Sequence, residues 1–112
     1  MPLQLHNPVD KGPEDERLTL ARQVLRAEAA ALETVAGRLD QSFLQTADLF
    51  LRCPGRIAIT GTGKSADVGQ KICGTLNSTG TRAYCLDATR AVHGDLGMVH
   101  ANDIALVLSH SG

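Results

Sequence analysis

The chain has 112 residues, enough for one small domain, and 43% of them are hydrophobic, as in ordinary globular proteins. A net charge of −1 and an aromatic content of 3% do not favour nucleic acid or an anionic membrane as a partner. No apolar run approaches the roughly 20 residues that span a bilayer, and the N-terminus lacks the apolar core of a secretory signal. The three cysteines form no CxxC pair, which argues against a disulfide framework or a zinc knuckle and indicates a reducing, cytoplasmic compartment.

Two different patterns occupy the N-terminal half of the chain. Residues 1–13 show no periodicity and are predicted to be a flexible tail. Residues 14–53 are predicted to be helical, with Asp40 as the N-cap of a second helix that ends at residues 53–55. We expect the two helices to cover a sheet or to meet a partner subunit. The apolar residues that recur at steps of three and four in the first helix are Leu18, Ala21, Leu25, Ala29, Leu32, Ala36 and Leu39.

From residue 56 the pattern alternates between strand and helix. The segment Lys64–Ser78 has helical periodicity and is followed by Gly80, which predicts a helix between two strands. Strand, helix and strand in this order form a βαβ unit with parallel strands, so residues 56–112 predict an α/β fold, a three-layer sandwich around a parallel sheet. The predicted strands are residues 56–60, 83–86 and 103–108, and the predicted loop between the last two is residues 87–97.

The polar, glycine-rich loops all follow predicted strands. They are residues 60–65, 87–97 and 109–112. Because ligands of parallel sheets bind at the carboxyl ends of the strands, the sequence predicts that these three loops form one binding site.

The glycine loop at residues 61–66 is compatible with several functions. Gly63-Lys64-Ser65 ends like a P-loop, but that motif needs a glycine where Ala58 stands. A GxGxxA dinucleotide fingerprint, with Asp87 binding a ribose, remains open. So does a monophosphate or phosphosugar site, in which backbone N–H groups and Lys64 bind the anion. The simplest alternative is a tight strand-to-helix turn with a solvated lysine.

Four segments, in this order, resemble the SIS domain of arabinose 5-phosphate isomerases over residues 18–112. The His-Gly-Asp-Leu-Gly element is the specific one, because other SIS proteins usually lack it. The resemblance implies a Rossmann-like SIS fold. The segments are Gly61-Thr62-Gly63-Lys64-Ser65, Ser78-Thr79-Gly80-Thr81, His93-Gly94-Asp95-Leu96-Gly97-Met98 and Ser109-His110-Ser111-Gly112.

The resemblance also implies a function. The family interconverts arabinose 5-phosphate and ribulose 5-phosphate for synthesis of the lipopolysaccharide sugar Kdo, without a cofactor, and its members are homo-oligomers. Lys64 matches the active-site lysine, and His93 matches a histidine that lies in the site and can bind an inhibitory zinc. The residues expected to bind the pentose phosphate are Gly61, Thr62, Gly63, Ser65, Ser109 and Ser111.

A complete SIS domain has five parallel strands, so the resemblance implies a fold truncated after the third strand. The family's candidates for the catalytic base are expected after Gly112, and we expect the 112-residue chain to have little isomerase activity by itself. Two alternatives are a sugar-phosphate-sensing SIS module and another SIS isomerase, such as a hexulose-phosphate isomerase. The His93-Gly94-Asp95 element speaks against the second of these.

Overall fold

The computed structural model describes residues 12–112. The tail predicted for residues 1–13 therefore lies almost entirely outside the described residues. The chain divides into two compact units, with the boundary between Asp40 and Gln41. Among the described residues, no helix combines the length and the apolar character that crossing a bilayer requires.

The N-terminal unit contains one long helix, α1 (Glu16–Arg38), close to the bounds that the apolar periodicity predicts. It begins at an N-cap, because the carboxylate of Asp15 accepts a hydrogen bond from the backbone N–H of Arg17 at 2.9 Å. None of its residues is buried. The large apolar side chains that it exposes are Leu18, Leu20, Val24, Leu25, Leu32 and Val35.

The C-terminal unit is an α/β structure, as the sequence predicts. Its sheet has three parallel strands in the order β2-β1-β3, with Ile57 of β1 opposite Ala83 of β2 and Ile104 of β3. The elements in chain order are α2 (Gln41–Arg52), β1 (Ile57–Gly61), α3 (Lys64–Ser78), β2 (Ala83–Cys85), α4 (Ala88–Val92), a 3-10 turn (Asp95–Met98) and β3 (Ile104–Leu108).

The helix predicted at Lys64–Ser78 has the predicted bounds, and each strand lies within one residue of its predicted position. The prediction of a loop at residues 87–97 is wrong, because this segment contains α4 and most of the 3-10 turn. Its glycines suggested irregular structure. The carboxylate of Asp87, however, accepts the N–H of Arg90 at 2.8 Å, and this N-cap stabilises a short helix.

The core is small and aliphatic, and it surrounds the central strand. Ile57, Ala58 and Ile59 are buried in succession, because β1 is covered on both faces. On one face α3 approaches so closely that a Cβ on Gly69 would lie 3.0 Å from Cγ2 of Ile59. The edge strand β3 alternates instead, and Val107 remains 65% exposed. The burial patterns of β1 and β3 thus differ because β1 is the central strand and β3 is an edge strand.

Candidate functional site

The glycine loop is a tight turn between β1 and α3 at the carboxyl end of the sheet. A Cβ on Gly61 would lie 3.0 Å from the carbonyl oxygen of Leu108, so a larger residue would push strand and loop apart by a few tenths of an ångström. Gly63 has a φ of 56°, which also favours glycine. The N–H of Ser65 donates to the carbonyl of Thr62 at 3.2 Å, which closes the turn at the first residues of α3.

One cavity of about 460 Å³ lies beside this turn, between α3 and the end of β3. We call it the lysine cavity. Its polar lining residues are a lysine, two serines and a histidine, and no acidic residue lines it. The residues that line it are Lys64, Ser65, Val68, Leu108, Ser109 and His110.

A second cavity of about 520 Å³ lies beyond the ends of β1 and β2. We call it the aspartate cavity. Ile59 and Leu86 contribute apolar surface, and Gly61 and Thr60 also line it. Its charged groups are three carboxylates and one guanidinium, so its electrostatic character is opposite to that of the lysine cavity. These charged residues are Asp67, Asp87, Arg90 and Asp95.

The first turn of α3 lies between the two cavities, and an ion pair crosses it. Nζ of Lys64 is 3.7 Å from Oδ2 of Asp67, one helical turn away. The lysine side chain is fully exposed and that of Asp67 is 69% exposed. Exposed pairs of this kind contribute about 0–1 kcal/mol, so Lys64 can leave Asp67 for a stronger anionic partner at little cost.

The serine loop after β3 is closed by one internal hydrogen bond. The backbone N–H of Gly112 donates to Oγ of Ser109 at 2.8 Å. Ser109 therefore both shapes this loop and lines the lysine cavity. Ser111 is exposed and lines neither cavity.

His93 lies apart from both cavities. It is the C-cap of α4, its backbone N–H donates to the carbonyl of Arg90 at 3.0 Å, and its side chain is exposed. Asp95, two residues further on, does line the aspartate cavity.

The structure thus brings together three of the residues singled out from the sequence: Lys64, Ser65 and Ser109. Thr62 and Gly63 form the adjacent turn without lining either cavity.

Two charged residues near the site were missed in the sequence. Asp67 stands three residues after Lys64, so helical spacing alone would have placed it beside the lysine. Arg90 stands three residues after Asp87, and its position becomes apparent only once α4 is recognised. Among residues 12–112, no group of three or more His, Cys, Asp or Glu side chains is placed to hold a metal ion.

The SIS domain family model matches residues 50–112 of the chain. The arabinose 5-phosphate isomerase GutQ of Escherichia coli K12 is 40% identical over 95 residues, which cover 85% of this chain and 30% of GutQ. The "Probable arabinose 5-phosphate isomerase" of Haemophilus influenzae Rd is 44% identical over 95 residues, or 85% of this chain and 28% of that protein. The chain thus spans about 30% of the length of the curated relatives it matches.

Solved structures resemble the fold closely. A protein of Escherichia coli CFT073, solved in complex with arabinose 5-phosphate, superposes with a TM-score of 0.80 and 32% identity over 84% of this chain and 50% of its own. A Bacteroides fragilis NCTC 9343 protein, whose description links it to capsule formation, has a TM-score of 0.78 and 27% identity over 83% of this chain and 50% of its own.

Proposed function

The chain belongs to the SIS domain family, and we propose that it binds a pentose 5-phosphate and supplies the lysine-bearing part of an arabinose 5-phosphate isomerase site. The relatives named arabinose 5-phosphate isomerase and the solved relative in complex with that sugar phosphate support this choice of ligand. The chain spans about 30% of the length of these relatives, so we also propose, as a separate point, that the whole protein has isomerase activity.

The observation that carries the proposal is the composition of the lysine cavity. A phosphate group needs cations and hydrogen-bond donors and is repelled by carboxylates. Lys64, Ser65 and Ser109 line this cavity, and no acidic residue does. The aspartate cavity, with its three carboxylates, is the poorer place for a dianion. We therefore assign the phosphate end of the ligand to the lysine cavity.

The proposed reaction moves one proton between neighbouring carbons of the sugar. A base removes the proton from C2 of the open-chain aldose, and the electron pair of that bond forms the C1–C2 double bond of an enediolate while the negative charge passes to O1. Return of that proton to C1, with transfer of the O2 proton to O1, produces the ketose and leaves the charge of the substrate unchanged. In this scheme Lys64 binds the phosphate and so holds the substrate in place, and His93 exchanges protons with the sugar oxygens, as the family resemblance implies.

Calorimetric titration of the 112-residue chain with arabinose 5-phosphate tests the binding. We expect Lys64→Met to weaken the Kd about tenfold, because a charge-assisted contact to phosphate is lost. Lys71→Met is the matched control, because Lys71 is an exposed lysine on the same helix that lines neither cavity. Equal binding of arabinose and arabinose 5-phosphate, or equal losses in the two variants, would contradict the assignment of the phosphate.

A chimera tests the isomerase activity. The 95 matching residues of GutQ are replaced by those of this chain, and turnover of arabinose 5-phosphate is measured. We expect an active chimera in which Lys64→Met lowers kcat/KM about tenfold, because the charge-assisted contact that holds the phosphate is lost. A folded chimera that binds the sugar phosphate without turnover would favour a sugar-phosphate-sensing module instead.

We further propose that the protein acts in the cytoplasm, as a homo-oligomer, in the supply of Kdo for lipopolysaccharide. The free thiols of Cys53, Cys73 and Cys85 support a reducing compartment. The exposed apolar residues of α1 and the edge strand β3 support self-association. Cell fractionation, sedimentation velocity and the Kdo content of cells that lack the protein test these three points separately.

A further inference from the structure

A buried carboxylate joins the three strands near the amino end of the sheet. Asp103 directly precedes β3, and its side chain is only 3% exposed. Its Oδ1 accepts the backbone N–H of Arg56 at 2.8 Å. Its Oδ2 accepts the backbone N–H of His100 at 2.9 Å and the hydroxyl of Tyr84 at 3.0 Å. This single side chain therefore links the start of β1, the middle of β2 and the approach to β3.

Arg56 and Tyr84 extend this network to the segment that follows α4. Nη2 of Arg56 donates to the carbonyl oxygen of Met98 at 3.0 Å, and the Tyr84 hydroxyl, 3.5 Å from the same oxygen, shares its one hydrogen between this oxygen and Asp103. The guanidinium lies 4.1 Å from the centroid of the tyrosine ring, a cation–π distance. Nη2 is also 3.8 Å from Oδ2 of Asp103. Contacts with Tyr84 and Asp103 thus hold the Arg56 guanidinium in place while it donates to the Met98 carbonyl.

Met98 is the last residue of the 3-10 turn, so its carbonyl fixes one end of residues 93–98. Within the segment and just after it, the backbone bonds are local, from Gly97 to Gly94 at 3.1 Å and from Val99 to Leu96 at 3.1 Å. Within residues 12–112, the side-chain hydrogen bonds that reach the segment from the strands all end on the Met98 carbonyl. The segment is therefore held at its start by the backbone bonds of His93 and Gly94 to α4 and at its end by the Met98 carbonyl.

We propose that Arg56, Tyr84 and Asp103 form a positioning cluster for residues 93–98, which carry His93 and the Asp95 wall of the aspartate cavity. The anchoring itself follows from the contacts above, whereas its effect on ligand affinity rests on the proposed function. None of the three residues touches the ligand in this proposal. They act through the Met98 carbonyl.

Amide hydrogen exchange tests the anchoring without any ligand. We expect Arg56→Met and Tyr84→Phe to speed exchange at the Gly97 and Val99 amides about tenfold, as loss of a charge-assisted hydrogen bond would. The amides of α3 should keep their protection, which shows that the variants remain folded. Arg82→Met is the matched control, because its guanidinium donates to the carbonyl of Pro54 and does not contact residues 93–98. Unchanged exchange at Gly97 and Val99 in both variants would overturn the proposal.

Titration with arabinose 5-phosphate then tests the consequence. We expect Arg56→Met and Tyr84→Phe to weaken the Kd about fivefold, the equivalent of one neutral hydrogen bond. Arg82→Met should leave it unchanged. If the wild-type chain binds and the loosened variants bind equally well, residues 93–98 do not serve the site and the positioning role is wrong. If the wild-type chain does not bind, the proposed function fails, and the exchange result alone decides whether the cluster anchors the segment.

Discussion

The two ends of the parallel sheet hold their charged groups in different ways. At the amino end, the buried carboxylate of Asp103 is surrounded by donors from Arg56, Tyr84 and His100. At the carboxyl end, Lys64 is fully exposed and has one distant partner, Asp67. A group whose donors are already supplied by the protein stabilises the fold, whereas a group left exposed in a cavity wall is available to a ligand. The amino end of the sheet thus provides stability, and we propose that the carboxyl end provides binding.

The largest effect is expected from adding one methyl group at the amino end. A Cβ on Gly55 would lie 2.5 Å from both the carbonyl oxygen of Asn102 and Oδ1 of Asp103. Because these atoms cannot all keep their places, we expect Gly55→Ala to lower the free energy of unfolding by about 1–3 kcal/mol, measured by urea denaturation.

Gly74→Ala is the matched control for this prediction. Gly74 lies inside α3, and a Cβ there would meet nothing within 4 Å. Alanine should therefore raise the free energy of unfolding by about 0.5–1 kcal/mol, since it lowers the entropic cost of helix formation. Similar losses in both variants would show that the crowding at Gly55 is not what destabilises the protein.

Acid should weaken the amino end through Asp103. Hydrogen bonds from the N–H groups of His100 and then Arg56 lower the pKa of Asp103 from its ordinary value of 3.8 to about 2, with smaller contributions from Tyr84 and the Arg56 guanidinium. Because the folded-state pKa is the lower one, the carboxylate stabilises the fold above pH 3.8, and this stabilisation is lost as the pH falls through about 2.

Urea denaturation across this pH range compares the wild-type chain with Asp103→Asn. The variant cannot titrate at this position, so we expect it to be less stable near neutral pH and to lose less of its stability on acidification. Parallel losses in the two proteins would mean that Asp103 is not the group responsible.

The smallest effect is expected at the carboxyl end. Asp67→Asn removes the exposed partner of Lys64, so the free energy of unfolding should change by no more than about 0.5 kcal/mol. The affinity for arabinose 5-phosphate should rise about twofold, because the lysine no longer has a competing carboxylate. Asp48→Asn, at an exposed site on α2 outside both cavities, should alter neither quantity. A large loss of stability in Asp67→Asn would show that the carboxyl end also stabilises the fold, which contradicts the difference between the two ends.

The sequence was sufficient to predict a helix or strand where the whole signal for that element lies within one short segment. The helix Lys64–Ser78 follows from its periodicity and from the glycines on either side, and the strands follow from short apolar runs. The prediction of a loop at residues 87–97 is wrong, because Asp87 caps a short helix there and the glycines of the segment do not prevent it. Lys64, Ser65 and Ser109 were brought together as the parallel-sheet rule predicts, since loops after neighbouring strands must meet at one end.

By itself, the sequence determined the α/β class, the parallel strands and the end of the sheet where the polar loops meet, because each follows from the order of short strand and helix patterns along the chain. Only the tertiary structure decided that the Arg56 N–H and the Asp103 carboxylate, 47 positions apart, share a hydrogen bond. It also decided that His93 stands outside both cavities and that Asp67 and Arg90 line one of them. The physical reason is that burial and hydrogen-bond partners arise from packing between distant segments, and local periodicity carries no information about those distances.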